Sequence, residues 1–152
     1  MKPARLKALT SLVTLQKRNS LTARMELAEC LAEEKRIANR ISRLKVQMAE
    51  NRTLVSATRE EAAQDLTLWN GYRHWLPIAQ EELERLEQAL EEAGEKSAAV
   101  RGRVMGLVRQ QEATAGLLRQ DRLAQARRER RQEQVVLDEQ AQQRKMTGMP
   151  DM

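Results

Sequence analysis

The sequence predicts an all-α protein: a long antiparallel two-helix coiled-coil hairpin. Three observations carry this. The 152 residues include no phenylalanine, only 2% aromatics and 32% charged residues. Aromatic side chains dominate the burial of globular cores, so a compact core is not expected. Leu, Ala, Glu, Gln and Arg abound, and all are good helix formers. Finally, apolar residues recur in alternating steps of three and four along two stretches of similar length.

The first stretch runs through Leu6, Leu9, Val13, Gln16, Ser20, Ala23, Leu27, Cys30, Glu34, Ile37, Ile41, Leu44, Met48, Asn51, Val55, Thr58 and Ala62. The polar members weaken this seam and can fix its register. The second runs from Leu76 through Ala79, Leu83, Leu86, Leu90, Ala93, Ser97, Val100, Val104, Leu107, Gln111 and Thr114 to Leu118. Beyond Leu118 it fades through Asp121, Gln125 and Arg128, as at a stutter or a more solvated helix. Gly94, Gly102, Gly106 and Gly116 all fall off the seam. Each costs roughly 1 kcal/mol relative to Ala in a helix.

Between the stretches lies LWNGYRHWLP, residues 68–77, which holds Trp69, Tyr72, His74 and Trp75, all the aromatic residues and the sole histidine. Asn70-Gly71 suits a helix stop, because glycine tolerates a left-handed C-cap. Pro77 suits a first helical turn, where no backbone donor is needed. The expected parse is a single domain, residues 1–146, with helix one over 3–70, a tip at 70–77 and helix two over 77–146. Residues 147–152 are expected as a disordered tail. Each arm would span roughly 100 Å at 1.5 Å per residue. Residue i would face roughly residue 147−i, with both termini together.

The formal net charge is +5. Residues 1–24 carry Lys2, Arg5, Lys7, Lys17, Arg18 and Arg24 and no acid, and residues 119–131 carry six arginines, among them Arg127, Arg128, Arg130 and Arg131. In the expected register these stretches lie side by side and favour a negatively charged partner surface. Residues 71–97 hold seven acids and three bases. An aromatic cluster on an aromatic-poor rod fits an interface, where Trp and Tyr are enriched. It also fits a plug that seals the hairpin end.

Catalytic chemistry is not expected. One His and one Cys make no nucleophile–base pair here, zinc-ligand spacing is absent, and there is no phosphate-binding glycine loop. A two-helix rod also offers no enclosed pocket. Cys30 reads as a reduced, buried thiol of a cytosolic protein. The segment MKPARLKALTSLVTLQK mimics a signal peptide, yet its apolar run is short and continues the helical pattern. It reads as mature protein. No cofactor or metal is expected.

Three segments resemble the FliJ family of flagellar export proteins and the related stalks of virulence type III secretion systems. RLKALTSLVTLQKR, residues 5–18, is similar to the family's opening RLxxLLxLR pattern. Trp69, Tyr72 and Trp75, followed by LERLEQAL, resemble its WxxYxxF-type stretch and LExAI-type helix, with Trp75 in place of a Phe. RRERRQEQVVLDEQAQQR, residues 127–144, resembles its basic ending, with Asp138, Glu139, Ala141 and Arg144 at the marked positions. The family's tyrosine-bearing segment late in helix one is absent.

The resemblance implies a non-enzymatic stalk like that of rotary ATPases. Its terminal half would engage a hexameric export ATPase, through Arg5, Lys7, Lys17, Arg18, Arg24, Arg127, Arg128, Arg130 and Arg131. Its tip would engage the cytoplasmic domain of an export gate, through Trp69, Tyr72, His74, Trp75 and Leu76. Export chaperones are further implied partners. Membrane association would be peripheral, through partners, at the cytoplasmic face of the inner membrane. An equivalent stalk of a virulence injectisome fits the same residues. The alternative reading of the charge is a nucleic-acid-binding helical hairpin using Arg127, Arg128, Arg130, Arg131 and the basic first arm; nucleic acid is not the expected partner, because in this parse the aromatics lie away from the basic patch and no stacking groove interleaves with it.

Overall fold

The computed structural model describes residues 3–61 and 66–148, which form two helices packed against each other. Helix α1 is Pro3–Glu61 and α2 is Leu66–Thr147. No strand occurs among the described residues. The fold class is therefore the expected helical hairpin. Pro3 opens α1, where its fixed φ suits the first turn. Among the described residues no helix is long and apolar enough to cross a membrane.

The seam is where the spacing puts it. The buried residues of α1 are Val13, Ser20, Ala23, Cys30, Ile37, Ile41 and Val55, and every one is a seam position. In α2, Ala79, Leu86, Ser97, Val100, Thr114 and Leu118 are buried at seam positions. Asp121, where the pattern fades, is also buried, at 5% exposure. Periodicity alone finds this face because only positions three and four apart share one side of a helix.

The helices pair in two compact units. In the unit Thr22–Val104 the seam is mostly apolar, with Ser97 Oγ buried without a hydrogen-bond partner. Ile37, Ile41 and Leu86 cluster there, with Leu44, Leu83, Ala89, Leu90 and Ala93 packed around them. Fully burying such a side chain stabilises by roughly 1.5–3 kcal/mol. Cross-helix ion pairs flank the cluster: Arg103–Glu26 at 2.7 Å and Arg40–Glu82 at 3.8 Å. In the unit Met1–Leu21 with Met105–Met152 the seam is more polar. The buried Thr114 hydroxyl donates to the Gln110 carbonyl oxygen at 3.0 Å, so it costs little. Gln16 Oε1 and Gln125 Oε1 are buried without a hydrogen-bond partner. Asp121 Oδ2 lies 3.0 Å from Arg5 Nε, but off the line of the N–H, so the contact is an ion pair without a well-formed hydrogen bond.

Two expectations fail. Residues 70–77 are not a turn. They lie inside α2, with Asn70 and Gly71 helical and no glycine at positive φ among the described residues. Pro77 sits within the helix rather than at its start. Proline in a helix interior removes a donor and crowds the preceding turn, at about 3 kcal/mol or more. Packing offsets that cost, because the seam continues upstream of Leu76 through Tyr72 and Trp69, both partly buried. Helix one ends earlier than expected, and α2 begins at Leu66. Ala62, the last expected seam position of helix one, lies outside the described residues.

The register is the second correction. Arg5 meets Asp121, Glu26 meets Arg103, Glu34 lies against Gly94, and Arg40 meets Glu82. The two numbers of each pair add to between 122 and 129, not to 147. The shift follows from the helix bounds, since α1 ends at Glu61 and α2 begins at Leu66. Its consequence is that the last part of α2 has no α1 residue opposite it. Residues 127–148 are exposed at every position. Of the expected tail, Thr147 ends α2 and Gly148 N–H donates to Arg144 O at 2.9 Å. Residues 149–152 lie outside the described residues.

Candidate functional site

The aromatic residues form a ladder on one side of α2. Trp69 and Tyr72 have ring centroids 6.3 Å apart with planes tilted by 31°, and Tyr72 and Trp75 are 6.2 Å apart at 37°. Tilted, offset contacts of this kind suit the aromatic quadrupole. Their spacing of three residues is what places them on adjacent turns. All three rings, and Leu76, are partly buried, whereas His74 is exposed.

Tyr72 and Trp75 of the ladder border an open groove of about 440 Å³ between the helices of the unit Thr22–Val104. Asn51, Leu54 and Val55 line it from α1, and Leu68, Gly71, Tyr72 and Trp75 from α2. Leu54 is 54% exposed. A Cβ built on Gly71 would meet no atom within 4 Å, so the missing side chain leaves the groove floor open. Neither the fold nor the backbone requires glycine at this position. Tyr72 and Trp75 form part of one wall of an interhelical groove.

The basic positions divide differently. Arg5 is engaged with Asp121, whose side chain is 7% exposed. Lys7, Lys17, Arg18 and Arg24 lie on the exposed side of α1. Arg127, Arg128, Arg130 and Arg131 lie on the unpaired run of α2, fully clear of α1. The expected side-by-side placement of residues 1–24 and 119–131 is thus only partial. Arg5 reaches Asp121, but the four arginines of 127–131 lie past the start of α1. The same run carries Val135, Val136 and Leu137, each at least half exposed.

Sequence reading missed the α1 wall of the groove and the apolar triplet. Leu54 gave a signal, since it is an apolar residue directly beside the seam position Val55. The triplet was visible as three apolar residues in a polar stretch, but the expected register gave α1 residues to cover it.

No group of three or more His, Cys, Asp or Glu side chains could hold a metal ion among the described residues. Cys30 is buried and unpaired. What the arrangement can do is bind: a groove with an aromatic wall can take an apolar guest, and a basic unpaired helix can enter or lie along an acidic surface. Fold and site together define a helical hairpin with an open, aromatic-walled groove and an exposed, basic helix end. Comparison with family models, curated proteins and solved structures finds no match for the chain.

Proposed function

We propose that this chain is a non-enzymatic stalk and adaptor of a bacterial flagellar type III export apparatus. In this reading the unpaired end of α2, with Arg127, Arg128, Arg130 and Arg131, engages a hexameric export ATPase and promotes its assembly. The aromatic groove engages the cytoplasmic domain of the export gate, at the cytoplasmic face of the inner membrane. The observation that carries the reading is the long, exposed, basic end of α2. A helix that no other part of the hairpin covers is free to enter a ring of subunits. The resemblance of residues 5–18, 69–90 and 127–144 to FliJ-type segments supports the same assignment.

The role of the groove follows from desolvation. Leu54 and the partly buried Trp75 keep apolar surface in water that a partner's apolar side chains would cover. Lys7, Lys17, Arg18 and Arg24 add basic surface along α1 and steer an acidic partner.

The test uses the purified export ATPase of the same organism. Adding the full chain should raise hexamer formation and ATP turnover. A variant ending at Ala126 should lose this effect, while Trp75→Ala should keep it and lose binding to the gate domain. No change in ATPase assembly or turnover on adding the full chain would remove the proposal.

A further inference from the structure

We infer that this chain exchanges helices with a second copy of itself, forming a domain-swapped dimer in which α1 of each copy pairs with α2 of the other and each chain runs on from α1 into α2 as one helix. The inference rests on the pairing of the helices alone and does not need the export reading. The observation that carries it is a phase match. Every buried residue of α1 and of α2 falls on the same two positions of a single seven-residue frame. Ile37 and Ala79 are 42 residues apart, Cys30 and Leu86 are 56 apart, and Val13 and Leu118 are 105 apart, each a whole number of heptads. Counted along the sequence, the frame passes from Glu61 to Leu66 with no residue skipped or added.

A hairpin does not need this agreement. Its turn lets each helix rotate about its own axis until its seam faces the other, whatever the phase between them. A single helix has no such freedom. Only an unbroken heptad frame puts both seams along one stripe, where an antiparallel partner can cover them together. The sequence at the junction agrees, since residues 62–65 are Ala, Ala, Gln and Asp, without a glycine or proline to oppose a helix.

The register identifies the partner as a second copy. Glu61 and Leu66, the facing ends of the two helices, have numbers that add to 127, and the cross-helix pairs add to between 122 and 129. A copy related by a two-fold axis at that common midpoint gives every seam residue the neighbours it has in the hairpin. Arg5 meets Asp121 of the partner, Glu26 meets Arg103 of the partner, and Ile37 and Ile41 pack on Leu86 of the partner. With these contacts kept, hairpin and dimer differ in the junction and in the cost of bringing two chains together. Mass action then selects the hairpin in dilute solution and the dimer in concentrated solution. Exchange requires the seam to unzip, so the dimer forms on refolding and, once formed, comes apart slowly. It carries two copies of the basic end of α2 and is therefore bivalent toward an acidic partner.

The test begins with the full chain, unfolded in urea and refolded at about 0.5 mM and at about 5 µM, with molar mass read by light scattering. Dimer should form in the first and not in the second. Two further chains, Glu26→Cys and Arg103→Cys, each with Cys30→Ser, are then refolded together at the higher concentration and treated with a short thiol crosslinker. Swapping predicts a covalent dimer of the two different chains, whereas intact hairpins lying side by side give none. Insertions after Ala63 test the phase itself. Two alanines turn the α2 seam by roughly 200° relative to the α1 seam in a continuous helix. Seven alanines restore the frame. The first should lower dimer yield about tenfold or more and the second should keep it. In dilute solution both insertions should leave helicity and monomer mass unchanged, because a longer turn costs little. A chain that stays monomeric after refolding at the higher concentration would overturn the inference. So would the absence of a crosslink between the two chains, or equal dimer yields from the two insertions.

Discussion

Arg5 and Asp121 offer the sharpest stability test. Asp121 occupies a seam position with a side chain only 7% exposed, and Arg5 Nε is 3.0 Å away. Truncating Arg5 to alanine strips the charge that offsets a buried carboxylate. Breaking a fully buried pair costs about 3–5 kcal/mol. Arg5 is 57% exposed, so water reaches the site and the expected cost is lower, about 1–2 kcal/mol. The effect is local to that end of the helix pair. Amide hydrogen exchange near Leu9 and Leu118 should accelerate by roughly 5–30-fold. Asp121→Leu should restore protection in the Arg5→Ala background, because a leucine at a seam position removes the unpaired charge and adds apolar burial. Unchanged exchange in Arg5→Ala would refute the reasoning. It would mean that Asp121 is held by solvent rather than by Arg5.

Other outcomes follow from the same structure. Ile41→Ala removes a side chain from the Ile37–Ile41–Leu86 cluster and should cost about 2–3 kcal/mol in urea unfolding. Gly102→Ala should stabilise by up to about 1 kcal/mol, seen as a raised thermal midpoint, because its Cβ meets nothing within 4 Å. A chain ending at Ala126 should keep the midpoint of the full chain to within a few degrees, since residues 127–148 are exposed throughout. Under a register in which residue i faced 147−i, the same truncation would uncover the first turns of α1 and melt them.

The face of each helix was legible in the sequence to the residue. Val13, Cys30 and Ile41 in α1, and Ala79, Leu86 and Val100 in α2, are buried where the count of threes and fours puts them. Helix faces follow from local spacing, which the chain carries in full. The bend did not show itself this way. Asn70-Gly71 and Pro77 are strong local punctuation, yet the seam runs straight through them in Trp69, Tyr72 and Leu76. Burial of those side chains outweighs the cost of an interior proline. Residues 62–65, which lie outside the described residues, contain neither glycine nor proline. A shift in the bend leaves each face unchanged but alters every cross-helix pair. That is why both seams could be read while the groove wall at Leu54 and the unpaired end of α2 could not.

Pairing register is the claim on which the groove and the free end both depend. It can be measured by placing cysteines at Glu26 and Arg103 in a Cys30→Ser chain and adding a short bifunctional thiol crosslinker. Their side chains form an ion pair at 2.7 Å, so an intramolecular crosslink should form rapidly, while cysteines at Lys45 and Gly102, which would face each other if residue i met 147−i, should not be joined. Efficient crosslinking of the second pair and none of the first would contradict the account.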